Sequence, residues 1–152
     1  MNPLKSITGT IVSGFVLAIV LMFITGTATK VNPWQVWVWF HVIVGITWIG
    51  LLYYFNFVQV PGVGKALAEA NDGGPGPAAI NKYVAPTALL WFRWAAVATW
   101  ITGVLALEAM HAEPGSGFIA AFTFQTGYGM IGMGAWLGTI MLLNVWGLIW
   151  PN

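Results

Sequence analysis

Two histidines are the side chains of this sequence best suited to hold a haem or a metal ion. They are His41 and His111, and imidazole is a common ligand of both. Counting about 1.5 Å per residue from Trp34 puts His41 roughly 10 Å inside the apolar segment that contains it. An imidazole at that depth needs a partner. The residues leave two interpretations open: a packing histidine that bonds a hydroxyl or carbonyl group, and a haem or metal ligand.

The helix face around His41 has room for a flat ligand. His41, Gly45, Trp48 and Leu52 are spaced i, i+4, i+7 and i+11 and therefore share one face of a helix. A glycine one turn after a histidine leaves space for a macrocycle beside the Trp48 indole. The spacing makes His41, Gly45 and Trp48 candidate cofactor-binding residues, and a haem or metal ion held through His41 stays one of the two interpretations.

The second histidine lies just beyond the outer end of the third apolar segment. The predicted orientation brings His111 to the same side as His41, which would allow a haem with two histidine ligands, although a solvated loop histidine is the simpler interpretation. If His41 holds a haem, its sixth ligand is His111, a methionine such as Met110, Met130 or Met133, a partner chain, or none.

Four further polar residues lie at one predicted depth, on the side opposite the histidines. Arg93 either extends its guanidinium to the headgroups or bridges helices and anchors a carboxylate such as a haem propionate. Asn56, Gln59 and Asn144 are predicted to form a structural polar layer with Arg93. In that layer Asn144 donates a hydrogen bond between helices, worth roughly 1 kcal/mol.

These residues must be positioned by membrane-spanning helices. Of the 152 residues, 59% are hydrophobic and 6% charged, with a mean hydropathy of +0.81, whereas a soluble domain has about 25% charged residues. Apolar stretches of about 20 residues are long enough to cross a bilayer. We predict an all-α integral membrane protein, a single four-helix bundle over 1–152. Its spans lie at about 6–27, 34–60, 87–108 and 124–150.

The positive charges give these spans an orientation. Lys5, Lys65, Lys82 and Arg93 fall on one side and Lys30 on the other. Because cytoplasmic loops carry the excess of Lys and Arg, both termini are predicted to be cytoplasmic, in a multi-pass protein of the bacterial inner membrane.

Small residues run along two of the predicted helices. One stripe is Gly134 and Gly138 in the fourth span, and the other comprises Ala95, Thr99, Thr102 and Ala106 in the third. Such stripes usually let helices approach closely. Helix packing is therefore the main interpretation, and a cofactor groove is the alternative.

Composition and motifs exclude several other functions. With a net charge of +1 there is no basic face for nucleic acid. The chain has no cysteine, which excludes disulfides, cysteine-ligated metal sites and covalent c-type haem. It also has no glycine-rich phosphate-binding motif.

Three separated motifs resemble those of a known membrane family. They are HVIVGITWIG at 41–50, WFRW at 91–94 followed by TWITG at 99–103, and GTIM at 138–141 followed by NVW and IWPN at 144–146 and 149–152. They are similar to the urate oxidase N-terminal membrane domain (PuuD-like) family. A wider resemblance is to CopD-type copper-resistance proteins and the HemJ-type protoporphyrinogen oxidase. In HemJ-like relatives a histidine before a similar motif is implicated in haem b binding, which implies that role for His41.

Three alternative functions therefore stay open. The first is a haem-b-binding or redox-associated subunit of a larger membrane complex, surrounded by lipid and by other membrane subunits. The second is a cofactor-free accessory subunit of such a complex. The third is an enzyme that oxidises protoporphyrinogen or urate. We expect the chain not to act as an independent enzyme.

Overall fold

A computed structural model describes residues 2, 5–26, 30, 32–110 and 115–150, and these residues form helices joined by turns, without a β-strand. Four helical segments are long and apolar enough to cross a membrane: Ile7–Ile24, Pro33–Ala70, Ile80–Met110 and Gly129–Ile149. The all-helical class and the four apolar helices predicted from the sequence are confirmed. Membrane insertion and the cytoplasmic position of both termini stay predictions.

The chain divides into two compact units, Met1–Asn32 and Pro33–Asn152. The first contains helix α1 (Ile7–Ile24), where the Ser6 side chain accepts a hydrogen bond of 3.0 Å from the backbone N–H of Gly9. This is a standard N-cap. After the helix, Gly26 has a φ of 67°, a left-handed conformation that glycine adopts readily. The packing of α1 into a four-helix bundle stays a prediction.

The second unit begins with a helical segment much longer than predicted. Helix α2 (Pro33–Tyr54) continues through a π-helical turn (Phe55–Gln59) into helix α3 (Val60–Ala70). The sequence analysis ended this span near residue 60, because the hydropathy falls there. The helix continues because the hydrogen bonds of its backbone form whether the side chains are apolar or polar.

Helix α4, like α3, begins after a π-helical turn. It spans Ala85–Met110 and is preceded by a π-helical turn at Ile80–Val84. Both turns end two residues before a proline, Pro61 in one case and Pro86 in the other. A proline ring removes one N–H donor and collides with the carbonyl four residues earlier. The wider π turn relieves that collision, so the helix passes through the proline without a break.

The remaining helices are a short one and a long one. Helix α5 (Gly117–Phe122) lies in a connection that was predicted to be a loop, and helix α6 (Gly129–Asn144) ends in a third π turn, Val145–Ile149. Gly132 of α6 lies directly against the Ala121 carbonyl of α5, so no side chain fits there. Residues 124–128, predicted as part of the fourth span, form the turn between these two helices.

Helix α4 is the centre of the second unit. α2 packs antiparallel along it, and α5 and α6 contact it from another side. The buried core between these helices consists of Trp48, Phe92, Ala95, Ala96 and Val145. Phe55 meets Phe92 edge to face, with ring centroids 5.5 Å apart. Because α2 and α6 each pack on α4, the space between α2 and α6 is left for the candidate site.

Candidate functional site

The side chain of His41 is held by the backbone of the facing helix. Its Nδ1 lies 2.8 Å from the carbonyl oxygen of Thr99 and 3.4 Å from the Thr102 hydroxyl. Because a carbonyl can only accept, Nδ1 is the nitrogen that carries the proton and donates. Among the described residues Nε2 has no hydrogen-bond partner. A histidine whose Nδ1–H bonds a carbonyl, leaving the Nε2 lone pair available, has the arrangement typical of metal ligands.

A glycine on α4 makes this approach possible. A Cβ atom at Gly103 would lie 3.0 Å from Cε1 of His41 and 3.2 Å from Nδ1. Sequence analysis did not assign a role to Gly103, although it follows Thr99 by one helical turn and so shares the face of the small-residue stripe. Space beside His41 was assigned to Gly45 instead. A Cβ at Gly45 would make an ordinary contact of 3.7 Å with Thr99 Cγ2, so Gly45 faces α4.

An apolar cavity of about 330 Å³ lies beside the imidazole. This volume is within the range of small-molecule sites, about 300 to 1,000 Å³. The cavity is partly open, and residues of α2, α4, α5 and α6 line it. Its lining comprises Trp34, Val38, His41, Trp48, Thr99, Trp100, Gly103, Val104, Ala106, Leu107, Met110, Phe122, Ile131, Gly134, Ala135 and Gly138.

The glycine stripe of α6 forms one wall of this cavity. Gly134 and Gly138 both line it, and among the described residues nothing lies within 4 Å of where their side chains would begin. These two glycines therefore widen the cavity, and they do not bring α6 against another described helix. This geometry favours the groove interpretation of the stripe, which sequence analysis had treated as the alternative.

Two tryptophans, Trp48 of α2 and Trp100 of α4, also line the cavity. Trp48 is 4% exposed, and its buried Nε1 has no hydrogen-bond partner in the described ranges. Trp100 of α4 donates from Nε1 to the Thr139 hydroxyl of α6 over 2.8 Å, and Thr139 in turn donates to the Ala135 carbonyl. This bond fixes the separation of α4 and α6 at the edge of the cavity.

The other predicted polar residues do not join this site. Arg93 donates from Nε to the Leu89 carbonyl of its own helix, and its Cζ lies 3.0 Å from the centroid of the Trp150 ring. Asn56 donates to the Leu52 carbonyl, also in its own helix. The Gln59 Oε1 is buried without a partner, and Asn144 is exposed.

No hydrogen bond links any two of the four polar residues, and none of them lines the cavity. These four described residues therefore do not form the hydrogen bonds between helices that were predicted for the polar layer. The physical reason is that Arg93 and Asn56 reach carbonyls one turn earlier in their own helices, so they need no partner on another helix.

The residues considered as a sixth ligand of a haem iron differ in their position relative to the cavity. Met110 lines the cavity, whereas Met130 and Met133 of α6 are 81% and 49% exposed and do not. His111 lies outside the described residues.

Protein-family models, curated proteins and solved structures were compared with the chain, and none matches. The resemblance to the urate oxidase N-terminal membrane domain family therefore depends on the three sequence motifs, and the function that it implies stays a prediction.

The donor groups around the cavity restrict the metal chemistry that the site can support. Within the described ranges no three His, Cys, Asp or Glu side chains come together as a metal site. Zinc needs three or four protein ligands, but haem iron needs only one or two, since the porphyrin supplies the others. A single imidazole beside an apolar cavity is thus suited to a metal that brings most of its own ligands.

Proposed function

We propose that this chain is a multi-pass protein of the bacterial inner membrane that binds haem b through His41 and acts as a redox subunit of a larger membrane complex. One observation carries the proposal. The His41 imidazole donates from Nδ1 to the Thr99 carbonyl, and its Nε2 is left without a partner at the wall of an apolar cavity.

The residues present fit such a group in two respects. The Nε2 of His41 would coordinate the iron. The bare backbones of Gly134 and Gly138 leave space that side chains would fill. None of the described residues that line the cavity is cationic, so the acidic groups of a haem would have to lie outside it, towards water or headgroups. A bound haem b would supply one-electron transfer.

The protein's own contribution would be to orient the ligand and to surround it with apolar side chains. The Thr99 carbonyl fixes the orientation of the His41 ring, as second-sphere carbonyls do for metal-bound histidines. Thr99 is buried, at 8% exposure, and its hydroxyl donates to the Ala95 carbonyl over 2.7 Å. The Thr99 hydroxyl is thus satisfied within α4, and the Thr99 carbonyl accepts from the Thr102 hydroxyl over 3.1 Å as well as from His41. An apolar lining would also affect the reduction potential of a bound iron.

Membrane insertion is supported by the four long apolar helices and by their charge asymmetry. Lys5, Lys65 and Lys82 fall on the predicted cytoplasmic side, with Lys30 opposite. Alkaline phosphatase and green fluorescent protein fused after Ala70 and after Lys30 test this orientation. We expect fluorescence after Ala70 and phosphatase activity after Lys30. The reverse pattern would overturn the orientation.

The absorption spectrum of the purified chain tests haem binding. We expect a Soret band and about one haem per chain in a pyridine haemochrome assay. His41→Ala should remove most of it, and Trp91→Phe, a change on an exposed part of α4, should not. A wild-type protein that is colourless and takes up no added haemin would contradict the proposal. Such a protein, if it copurified with a membrane complex in fixed ratio, would instead support the cofactor-free accessory subunit.

Turnover assays separate the enzyme alternatives. The isolated chain would be supplied with protoporphyrinogen and, separately, with urate. Oxidation of either substrate above the rate of a His41→Ala control would favour an enzyme over an electron-transfer subunit.

A further inference from the structure

We propose that Met110 is the second axial ligand, so that iron held by this chain has one histidine and one methionine ligand. The inference rests on the proposed haem function and adds a second protein residue to it. It assigns a role to a residue at the end of α4, on the helix opposite His41.

The chemistry of the cavity lining carries this inference. Of the described side chains that line the cavity, only those of His41 and Met110 are common haem ligands. The Thr99 hydroxyl is used by the Ala95 carbonyl. The indole N–H groups of the tryptophans only donate and have no lone pair for iron. The cavity thus has one imidazole and one thioether.

Met110 lies seven residues after Gly103, or roughly 10 Å along α4, and Gly103 is the residue that contacts His41. The directions of the two helices decide how the side chains extend across that distance. α2 and α4 run antiparallel, since His41 contacts Thr99 and Gly103 while Phe55, later in α2, contacts Phe92, earlier in α4. Side chains of an α-helix lean towards its N-terminus. The Met110 side chain therefore leans along α4 towards the level of Gly103, and His41 leans along α2 towards the level of Met110.

The other methionines near this end of the unit are less suitable. Met130 and Met133 both belong to α6, but neither lines the cavity. Met133 is 49% exposed and has the same side chain as Met110, which makes it a matched control. His111, the neighbour of Met110 in the sequence, is the competing ligand, and the experiment has to separate the two.

Spectroscopy of the haem-loaded full-length protein tests the assignment without an activity assay. Ferric haem with a methionine ligand shows a near-infrared sulfur-to-iron charge-transfer band. We expect this band in the wild type, its loss in Met110→Leu, and its retention in Met133→Leu and His111→Ala. Leucine is close to methionine in volume, so the fold should tolerate the change.

A second variant keeps the proposal testable if Met110→Leu is poorly folded. Met110→His replaces one strong-field ligand by another, and the haem should stay low-spin. Because methionine ligation raises the reduction potential, we expect the midpoint potential to shift downwards in Met110→His and to stay unchanged in Met133→His.

The possible failures are distinguishable. A haem-loaded wild type without the methionine band, a band that persists in Met110→Leu, or a band-free spectrum whose low-spin state is lost in His111→Ala would overturn Met110 while leaving haem binding through His41 intact. A wild type that takes up no haemin would overturn both proposals.

Discussion

The backbone of Gly103 lies so close to the imidazole of His41 that a methyl group at position 103 would sit 3.0 Å from Cε1 and 3.2 Å from Nδ1. Separations in this range are tighter than most real contacts of a Cβ atom. The same close approach allows the 2.8 Å bond from His41 Nδ1 to the Thr99 carbonyl. The orientation of His41, the proposed ligand, thus depends on Gly103, a glycine in the facing helix α4.

Substitution of Gly103 should therefore reduce haem binding without touching the ligand itself. We expect Gly103→Val to lose most of its haem, because two additional methyl groups push the His41 ring away from Thr99. Gly103→Ala should have a smaller effect, since a shift of a few tenths of an ångström relieves its contacts. Haem content per chain after purification measures both.

Gly50 provides the control for this substitution. It lies on α2, the helix of His41, and among the described residues nothing is within 4 Å of its Cβ position. Gly50→Val should keep the haem content of the wild type. Equal haem contents in Gly103→Val and the wild type would show that the His41–Thr99 bond does not orient the ligand.

Much of the fold could be predicted from the sequence, because hydropathy over about 20 residues reports directly on helices that cross a membrane. Helix α5 was missed, since its six residues are too few for a periodic pattern. The extension of the second span through Pro61 was also missed. A proline normally indicates a helix end, and only the structure shows the π turn that accommodates it.

Single residues of the site could be predicted from the sequence, but the contacts between them could not. His41 and Trp48 were identified from depth and helix face, and both line the cavity. The role of Gly103 depends on which turn of α4 faces His41, a tertiary relationship that one helix does not contain. The depth of Arg93 left two roles open, extension to the headgroups or anchoring of a carboxylate, and the stacking of its guanidinium on Trp150 could not be inferred from spacing.

Filling the cavity from α6 should exclude the haem and leave the fold intact. Gly138→Leu would place a branched side chain in the open space beside the proposed ligand. Since glycine within a helix is less favourable than most residues by about 0.5–1 kcal/mol, the change should not lower the thermal stability. We expect loss of the Soret band with an unchanged far-ultraviolet circular dichroism spectrum and melting temperature.

Gly147 provides the matched control for the cavity substitution. It lies in the π turn after α6, outside the cavity lining, with open space at its Cβ position among the described residues. Gly147→Leu should keep its haem. If Gly138→Leu bound haem as fully as Gly147→Leu, the cavity would not be the haem site.

Removal of the Arg93 guanidinium should leave haem binding unchanged. Arg93 is outside the cavity lining, and its charge stacks on the Trp150 ring. An exposed cation–π contact is worth about 0.5–1 kcal/mol, so Arg93→Gln should lower the melting temperature slightly and keep the haem content. Arg93→Lys keeps the charge and is the control. A loss of haem in Arg93→Gln but not in Arg93→Lys would instead favour the predicted role as an anchor for a propionate.

The start of α5 depends on a carboxylate from the end of α4. One carboxylate oxygen of Glu108 accepts hydrogen bonds from the Ser116 hydroxyl over 2.5 Å and from the Phe118 N–H over 3.0 Å. Ser116 Oγ also accepts from the Ile119 N–H over 3.2 Å. The first turn of this short helix is thus held by two side chains, and Phe122 at its other end lines the cavity.

Loss of the Ser116 hydroxyl should therefore open α5 locally. Removing an N-cap costs about 1 kcal/mol, which corresponds to roughly fivefold faster amide exchange. We expect that increase at Phe118 and Ile119 in Ser116→Ala, measured by hydrogen–deuterium exchange. Glu108→Ala should increase exchange at the same amides, and Glu108→Gln less so, because its amide oxygen still accepts. Glu69→Ala, which removes a carboxylate on α3, should change neither amide. Unchanged exchange in both Ser116→Ala and Glu108→Ala would show that these contacts do not hold α5 in place.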